Sequence, residues 1–354
     1  MGFSPSTIGI IVSAQNLLTI PLAIPLGRLL DKLSPVYGIT IGFFLNFISS
    51  ILLMVTKNFW GILLSQLISG VGFLFIIVGA QAAISKFNDF SKKADAFAKL
   101  SLSGAIGQSV GPYLGGLVVH YFDFFTLFTL SLVLSIPGMF FVSSPKQKKS
   151  SKKQEKGHLT TKENLILLLK SRTMILILTF TGLSVFVATL RTSFFPIYLK
   201  QLNFTPDIIG MLISLFSIVM SIIRIFISKF FKKIWFSRLI IVTMTFFSIG
   251  LFLIPITSNF ILISMGVILW GIGFGISQPL SMLIISENIP KSISGLGMGI
   301  RFTAITTSAF IAPIIFGIIA QYFKLSYIFY FTSFLCIMFN FYYIFTKLKH
   351  NLQI

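Results

Sequence analysis

The 354-residue chain is 55% hydrophobic and only 10% charged, with a net charge of +20 and a mean hydropathy of +0.95. A soluble domain carries about 25% charged residues, so a soluble fold is excluded; a β-barrel is excluded too, because runs such as 174–180 do not alternate apolar and polar residues. The positive charge gathers in loops on one predicted side of a membrane, which argues against nucleic acid and for anionic lipid headgroups as its partner.

Eleven apolar stretches of bilayer length, roughly 20 residues each, follow one another. Five come first, at 7–27, 36–56, 59–85, 94–119 and 124–143. The first carries Gln15 and Asn16, the third Gln66 and the fourth Gln108. After the first span the loop reads Gly27-Arg28-Leu29-Leu30-Asp31-Lys32-Leu33-Ser34-Pro35. The fourth contains Gly107-Gln108-Ser109-Val110-Gly111-Pro112-Tyr113-Leu114-Gly115-Gly116. Small residues at this spacing allow close helix packing, and Pro112 removes a backbone hydrogen bond and favours a bend. Simple helix packing is the plainer reading of the same pattern.

The polar segment 144–172 holds nine Lys or Arg against Glu155 and Glu163 and reads as a solvated cytoplasmic linker. Its part 160–170 is expected to form an amphipathic helix on the membrane surface. Six spans follow, at 173–199, 207–228, 238–256, 259–285, 297–320 and 325–346. They carry Ser184, Arg191, Arg224, Trp270, Gln278 and Arg301. Placing the linker in the cytoplasm puts the basic loops and the C-terminus on that side. The domain boundaries are therefore 1–143, 144–172 and 173–354. The single Cys336 allows no disulfide within the chain, and His120, His158 and His350 show no metal spacing.

Shifted by 201 residues, the halves align without a gap. Phe3, Pro5, Gly9 and Ser13 fall on Phe204, Pro206, Gly210 and Ser214. Asn58-Phe59 falls on Asn259-Phe260, Gly70-Val71-Gly72-Phe73 on Gly271-Ile272-Gly273-Phe274, and Pro112 and Gly116 on Pro313 and Gly317. Parallel repeats of membrane helices are a common construction of secondary transporters. The span 173–199 has no partner in the first half. A helix before Met1 would complete six plus six, so the expectation is a start that is truncated or placed too late; the alternative is a genuine eleven-helix protein.

Two six-helix bundles joined by a basic loop resemble the major facilitator superfamily, and local segments strengthen the likeness. The loop at 27–35 is similar to the family's Gly-x-x-x-Asp-Arg/Lys motif through Gly27, Asp31 and Lys32, although its later Gly and closing basic residues are absent. The segment 107–116, through Gly107, Gly111, Pro112, Gly115 and Gly116, resembles the signature of that family's drug and metabolite antiporters. Residues 271–280 look like its tenth helix. The resemblance implies an all-α polytopic membrane fold of two pseudo-symmetric bundles with the first helix missing. It implies Asp31 as a conformational latch and a cavity at mid-membrane depth; a solvated loop charge is the alternative for Asp31.

Polar side chains at membrane depth are costly and face a cavity or a neighbouring helix. Gln15, Asn16, Gln66, Gln108, Ser184, Trp270 and Gln278 are therefore candidates for substrate contact or for links between helices. Arg191 is placed near the outer end of its span, where it suits an anionic substrate. Arg224 and Arg301, near the inner ends of theirs, suit either a charge site or snorkelling to headgroups. All eight acidic residues fall in loops or at helix ends, which argues against a pump for cations. The leading expectation is a monomeric, proton-coupled efflux antiporter in the cell membrane, needing no cofactor beyond the proton gradient. An importer or facilitator of a small organic anion is the alternative. No catalytic pair, metal cluster or phosphate loop supports an enzyme.

Overall fold

The computed structural model describes residues 3–32, 35–85, 90–140, 171–230, 236–288 and 294–350. The chain divides into two compact units, one of residues 1–153 with 205–210 and one of 154–204 with 211–354. Among the described residues every regular element is helical. The first unit holds α1 (Pro5–Leu17), α2 (Thr19–Lys32), α3 (Pro35–Val55), α4 (Phe59–Ser85), α5 (Phe90–Tyr121) and α6 (Phe124–Phe140). The second holds α7 (Arg172–Ser193), α8 (Phe195–Gln201), α9 (Pro206–Phe230) beyond its first turn, α10 (Phe236–Leu253), α11 (Phe260–Asn288), α12 (Ser294–Tyr322) and α13 (Ser326–His350).

Among the described residues, nine helical stretches are long and apolar enough to cross a membrane, and α6 is apolar but shorter. The glycine-rich α5, at 32 residues, has the length but is not among the nine. The linker expected at 144–172, with its amphipathic part at 160–170, lies outside the described residues except for Ser171 and Arg172.

Two expected spans are each broken in two. Residues 7–27 divide at Leu18, between α1 and α2, and 173–199 at Phe194, between α7 and α8. The reason is the same in both. Pro21 has no N–H for the Leu17 carbonyl, and Pro196 has none for Thr192. At the first break the Thr19 hydroxyl donates to the Asn16 carbonyl at 2.7 Å. After the second, α8 closes with Asn203 at φ 63°. The N–H groups of Asn203 and Phe204 donate to the carbonyls of Lys200 and Leu199, at 3.0 and 3.1 Å. That pairing ends a helix cleanly.

The 201-residue repeat is visible in backbone packing. Asn58 caps α4 by accepting from the Gly61 N–H at 2.8 Å, and Asn259 caps α11 by accepting from Ile261 and Leu262 at 2.8 and 3.4 Å. A Cβ at Gly70 would overlap the backbone of Gln15, and one at Gly271 would lie 3.0 Å from the Phe216 carbonyl oxygen. Gln15 and Phe216 are themselves repeat partners. Likewise a Cβ at Gly72 would lie 2.9 Å from the Gly42 oxygen, and one at Gly273 would lie 3.2 Å from that of Thr243. Ser49 and Ser65 share a hydrogen bond of 2.9 Å between α3 and α4. Their partners Gly250 and Gly266 touch backbone to backbone instead, each a would-be Cβ within 2.8 Å of the other's carbonyl. Small residues thus set the helix spacing in both units. The second unit fills its interior with aromatic rings, among them Phe180, Phe195, Phe216, Phe247, Trp270, Phe316 and Phe329, all fully buried.

Candidate functional site

Helix α11 carries Trp270, Phe274, Gln278 and Ser281 at helical spacing, so they form one stripe along its length. Gly271 and Gly275 beside it admit the backbone of α9, with would-be Cβ atoms 3.0 Å from the carbonyl oxygens of Phe216 and Met220. That approach brings the Phe216 ring edge-on to Trp270, centroids 5.1 Å apart, and to within 5.9 Å of Phe274.

Three arginines gather on this frame. Arg191, from α7, lies 4.8 Å over the Phe216 ring and donates through Nη1 to the Ser217 hydroxyl at 2.6 Å. Arg224, from α9, lies 5.7 Å over Phe274. Arg301, from α12, donates through Nε to Ser281 Oγ at 3.0 Å and through Nη2 to the side-chain and backbone oxygens of Gln278 at 2.7 and 3.3 Å.

Arg301 is only 8% exposed. It does not snorkel: its guanidinium is held inside the bundle by acceptors on a neighbouring helix, which hydropathy along its own helix does not reveal. Arg191 also sits deeper than expected. Ser217 lies near the middle of α9, so the charged head reaches that level although its Cα is near the end of α7. Among the described residues no carboxylate pairs with any of the three. A contact of 3.1 Å, an ion pair when the imidazole is protonated, joins His120 Nδ1 at the end of α5 to Asp207 Oδ1 in the first turn of α9, which belongs to the first unit.

The other sequence candidates scatter. Gln278 and Trp270 join the arginine frame. Ser184 is fully buried, and its hydroxyl donates to the Phe180 carbonyl at 2.7 Å within its own helix. Gln15 and Gln108 are exposed, and Asn16 and Gln66 are half-buried. The latch residues Gly27, Asp31 and Lys32 occupy the last turns of α2, and their side chains lie outside the described residues.

In the antiporter-like segment, α5 continues through Pro112 without interruption. Gly116 lies against the backbone of Pro206 and Asp207, and Gly210 against that of Pro112, all within the first unit. A Cβ at Gly115 would meet only Leu127, at 3.6 Å, and a Cβ at Gly107 or Gly111 would meet nothing within 4 Å. The His120–Asp207 pair beside this contact was not anticipated; both residues read as isolated helix-end charges, and sequence spacing gives no sign of a pairing across 87 positions.

A cavity of about 790 Å³ in the second unit lies between α7, α12 and α13. It is lined by apolar side chains such as Leu183, Phe186 and Phe339 with the hydroxyls of Thr303, Thr307 and Ser308, and it includes none of the candidate polar residues. No cluster of His, Cys, Asp or Glu able to hold a metal occurs among the described residues.

A sequence profile of the Major Facilitator Superfamily matches residues 1–313 and again 183–352. The Quinolone resistance protein NorA of Staphylococcus aureus (strain MRSA252) is 28% identical over 329 residues, covering 90% of this chain and 81% of that protein. Among solved structures, a mutant form of the nucleoside transporter NupG superposes with a TM-score of 0.82 at 13% identity, covering 97% of this chain and 91% of that one. A bacterial homolog of the human lysosomal transporter Spinster, in an inward-facing and unoccupied conformation, gives 0.78 at 10% identity, covering 96% and 89%. At these identities the structural likenesses speak for the fold alone.

Proposed function

We propose that this chain, which belongs to the Major Facilitator Superfamily, exports a small organic molecule across the cell membrane in exchange for protons. It is a multi-pass membrane transporter of small molecules and not an enzyme, as its family membership shows. The observation that carries the export reading is the similarity to NorA along 90% of the chain. The glycine and proline segment at 107–116 supports it.

In this reading 144–172 is the cytoplasmic linker between bundles 1–143 and 173–354, and the C-terminus is cytoplasmic. Transport proceeds by alternating access, in which a site opens first to one side of the membrane and then to the other. Asp31, with Gly27 and Lys32, acts as the latch of the cycle: a carboxylate can hold a helix N-terminus or a cation in one state and release it in the next. Pro112 with Gly107, Gly111, Gly115 and Gly116 supplies the pliable helix, which packs closely at Gly116 in the conformation described. The chain acts as a monomer and draws on the proton gradient, with no cofactor.

The test is transport in inverted membrane vesicles with an imposed pH gradient, using a fluorescent quinolone as probe. Export predicts accumulation inside inverted vesicles that collapses with the gradient. Uptake confined to right-side-out vesicles would replace this reading with the second one, an importer or facilitator of a small organic anion. That second reading is favoured by the arginines at membrane depth and the absence, among the described residues, of a paired carboxylate beside them.

A further inference from the structure

We infer that Arg191 and Arg224 form a binding site for the carboxylate of a small organic anion whose apolar body rests against the half-buried ring of Phe274. The proposal builds on the reading of the chain as a small-molecule transporter and names the substrate class of its second unit.

The three arginines at membrane depth are provided for unequally. Arg301 spends its donors on Ser281 and Gln278. Arg191 makes one hydrogen bond, to Ser217, and its Nε is buried without a partner. Arg224 has a buried Nε in the same condition, and its guanidinium lies 5.7 Å over the Phe274 ring. A guanidinium largely withdrawn from water without a partner is unfavourable, and a ring face offsets only part of that. The rings beneath them, Phe216 and Phe274, are neighbours with centroids 5.9 Å apart, so the two charges stand on one aromatic pair. Two like charges sharing one apolar neighbourhood repel, and an anion between them turns the repulsion into two attractions.

The orphaned atoms agree in kind. Arginine nitrogens and the tryptophan ring nitrogen are donors only, and Trp270 Nε1, whose ring packs against Phe216, is another buried donor without a partner. A set of unmatched donors calls for an acceptor. The planar fork of a guanidinium matches a carboxylate in particular. The half-buried Phe274 ring, beside the packed Phe216, favours an organic body over an inorganic ion.

The single Cys336 is fully buried, so a fluorogenic maleimide reports unfolding of the detergent-solubilised protein. 2-Naphthoate should raise the unfolding midpoint in a saturable way; 2-naphthamide and 2-naphthylmethylammonium should not. Arg191→Gln and Arg224→Gln should each weaken naphthoate binding by about tenfold or more, while Arg191→Lys should retain part of it. A midpoint in each unliganded variant close to that of the parent shows that it folds, and the Lys variant serves where a Gln variant does not. Equal shifts with the amide, or naphthoate binding unchanged in both Gln variants, would overturn the proposal. An equal shift with inorganic phosphate would overturn the organic part of it. If naphthoate is inert but phosphatidylglycerol in phosphatidylcholine nanodiscs stabilises the parent and not the Gln variants, the two arginines hold a lipid headgroup and the proposal fails. Binding in detergent is independent of transport direction, so its failure leaves export standing, and reversed vesicle polarity leaves the site standing.

Discussion

Helices α4 and α11 hold the same place in the two units, and each is set by the same pair of glycines against its neighbours. Their exposed consequences differ. Where α11 presents Trp270, Phe274, Gln278 and Ser281, α4 presents Ser69, Phe73, Ile77 and Ala80 at the repeat positions. The arginine-bearing position 224 corresponds to Ala23, and Phe216, which underlies Arg191, corresponds to Gln15. The glycines that fix helix spacing persist in both units because a side chain there would strike backbone. The positions one step round the helix are free of that constraint, and in the second unit they form the stripe on which arginines of α9 and α12 rest. Duplication thus supplied one scaffold twice, and the second copy carries an arginine cluster at positions that are uncharged in the first.

The comparison breaks most visibly at the shared glycines. Gly70→Ala places its Cβ on the Gln15 carbonyl and is expected to lower stability by about 3 kcal/mol or more, against about 1 kcal/mol for the looser Gly271→Ala. Circular dichroism melts check this, and equal losses would mean that the first contact is no tighter than the second. Next comes the arginine cluster of the second unit. Arg301→Gln should cost about 2 kcal/mol, and Arg301→Lys should recover little, because one ammonium cannot span both Ser281 and Gln278 as the guanidinium does.

Asn58→Ala and Asn259→Ala should each cost about 1 kcal/mol. Similar values would sharpen the equivalence of the two caps, and circular dichroism melts are sufficient to compare them. Ser65→Gly, which makes the first unit resemble the second at Gly266, should cost only about 0.6 kcal/mol. The smallest effect is one of pH. The Thr126 N–H, bound at 2.7 Å, and the Thr126 side chain hold the Asp123 carboxyl below its ordinary value. Its cap on α6 is therefore fully present above the ordinary carboxylate range and is lost as pH falls through the lowered value. Asp123→Asn should flatten that acid dependence in a pH series of melts.

Backbone-level requirements were legible in the sequence. Gly70 with Gly271 and Asn58 with Asn259 stand out because a turn or a close approach tolerates few residue types. The breaks at Leu18 and Phe194 were signalled by Pro21 and Pro196, but each long apolar run masked its interruption. The site was only half legible. Arg191, Arg224, Arg301, Trp270 and Gln278 were each marked as unusual, yet the partnership of Arg301 with Gln278 joins different helices, and depth counted along one helix does not show where a long side chain ends. The pairing of His120 with Asp207 was hidden for the same reason.

Gly104, Gly107 and Gly111 of α5 face open space, so alanine at any of them would meet no obstacle in this conformation. Alanine favours a helix over glycine by roughly 0.5–1 kcal/mol. Such substitutions would therefore add weight to the conformer seen here without harming it. Any slowing of turnover they caused would report an altered balance between states of the cycle, which makes these three positions handles on kinetics that leave the architecture intact.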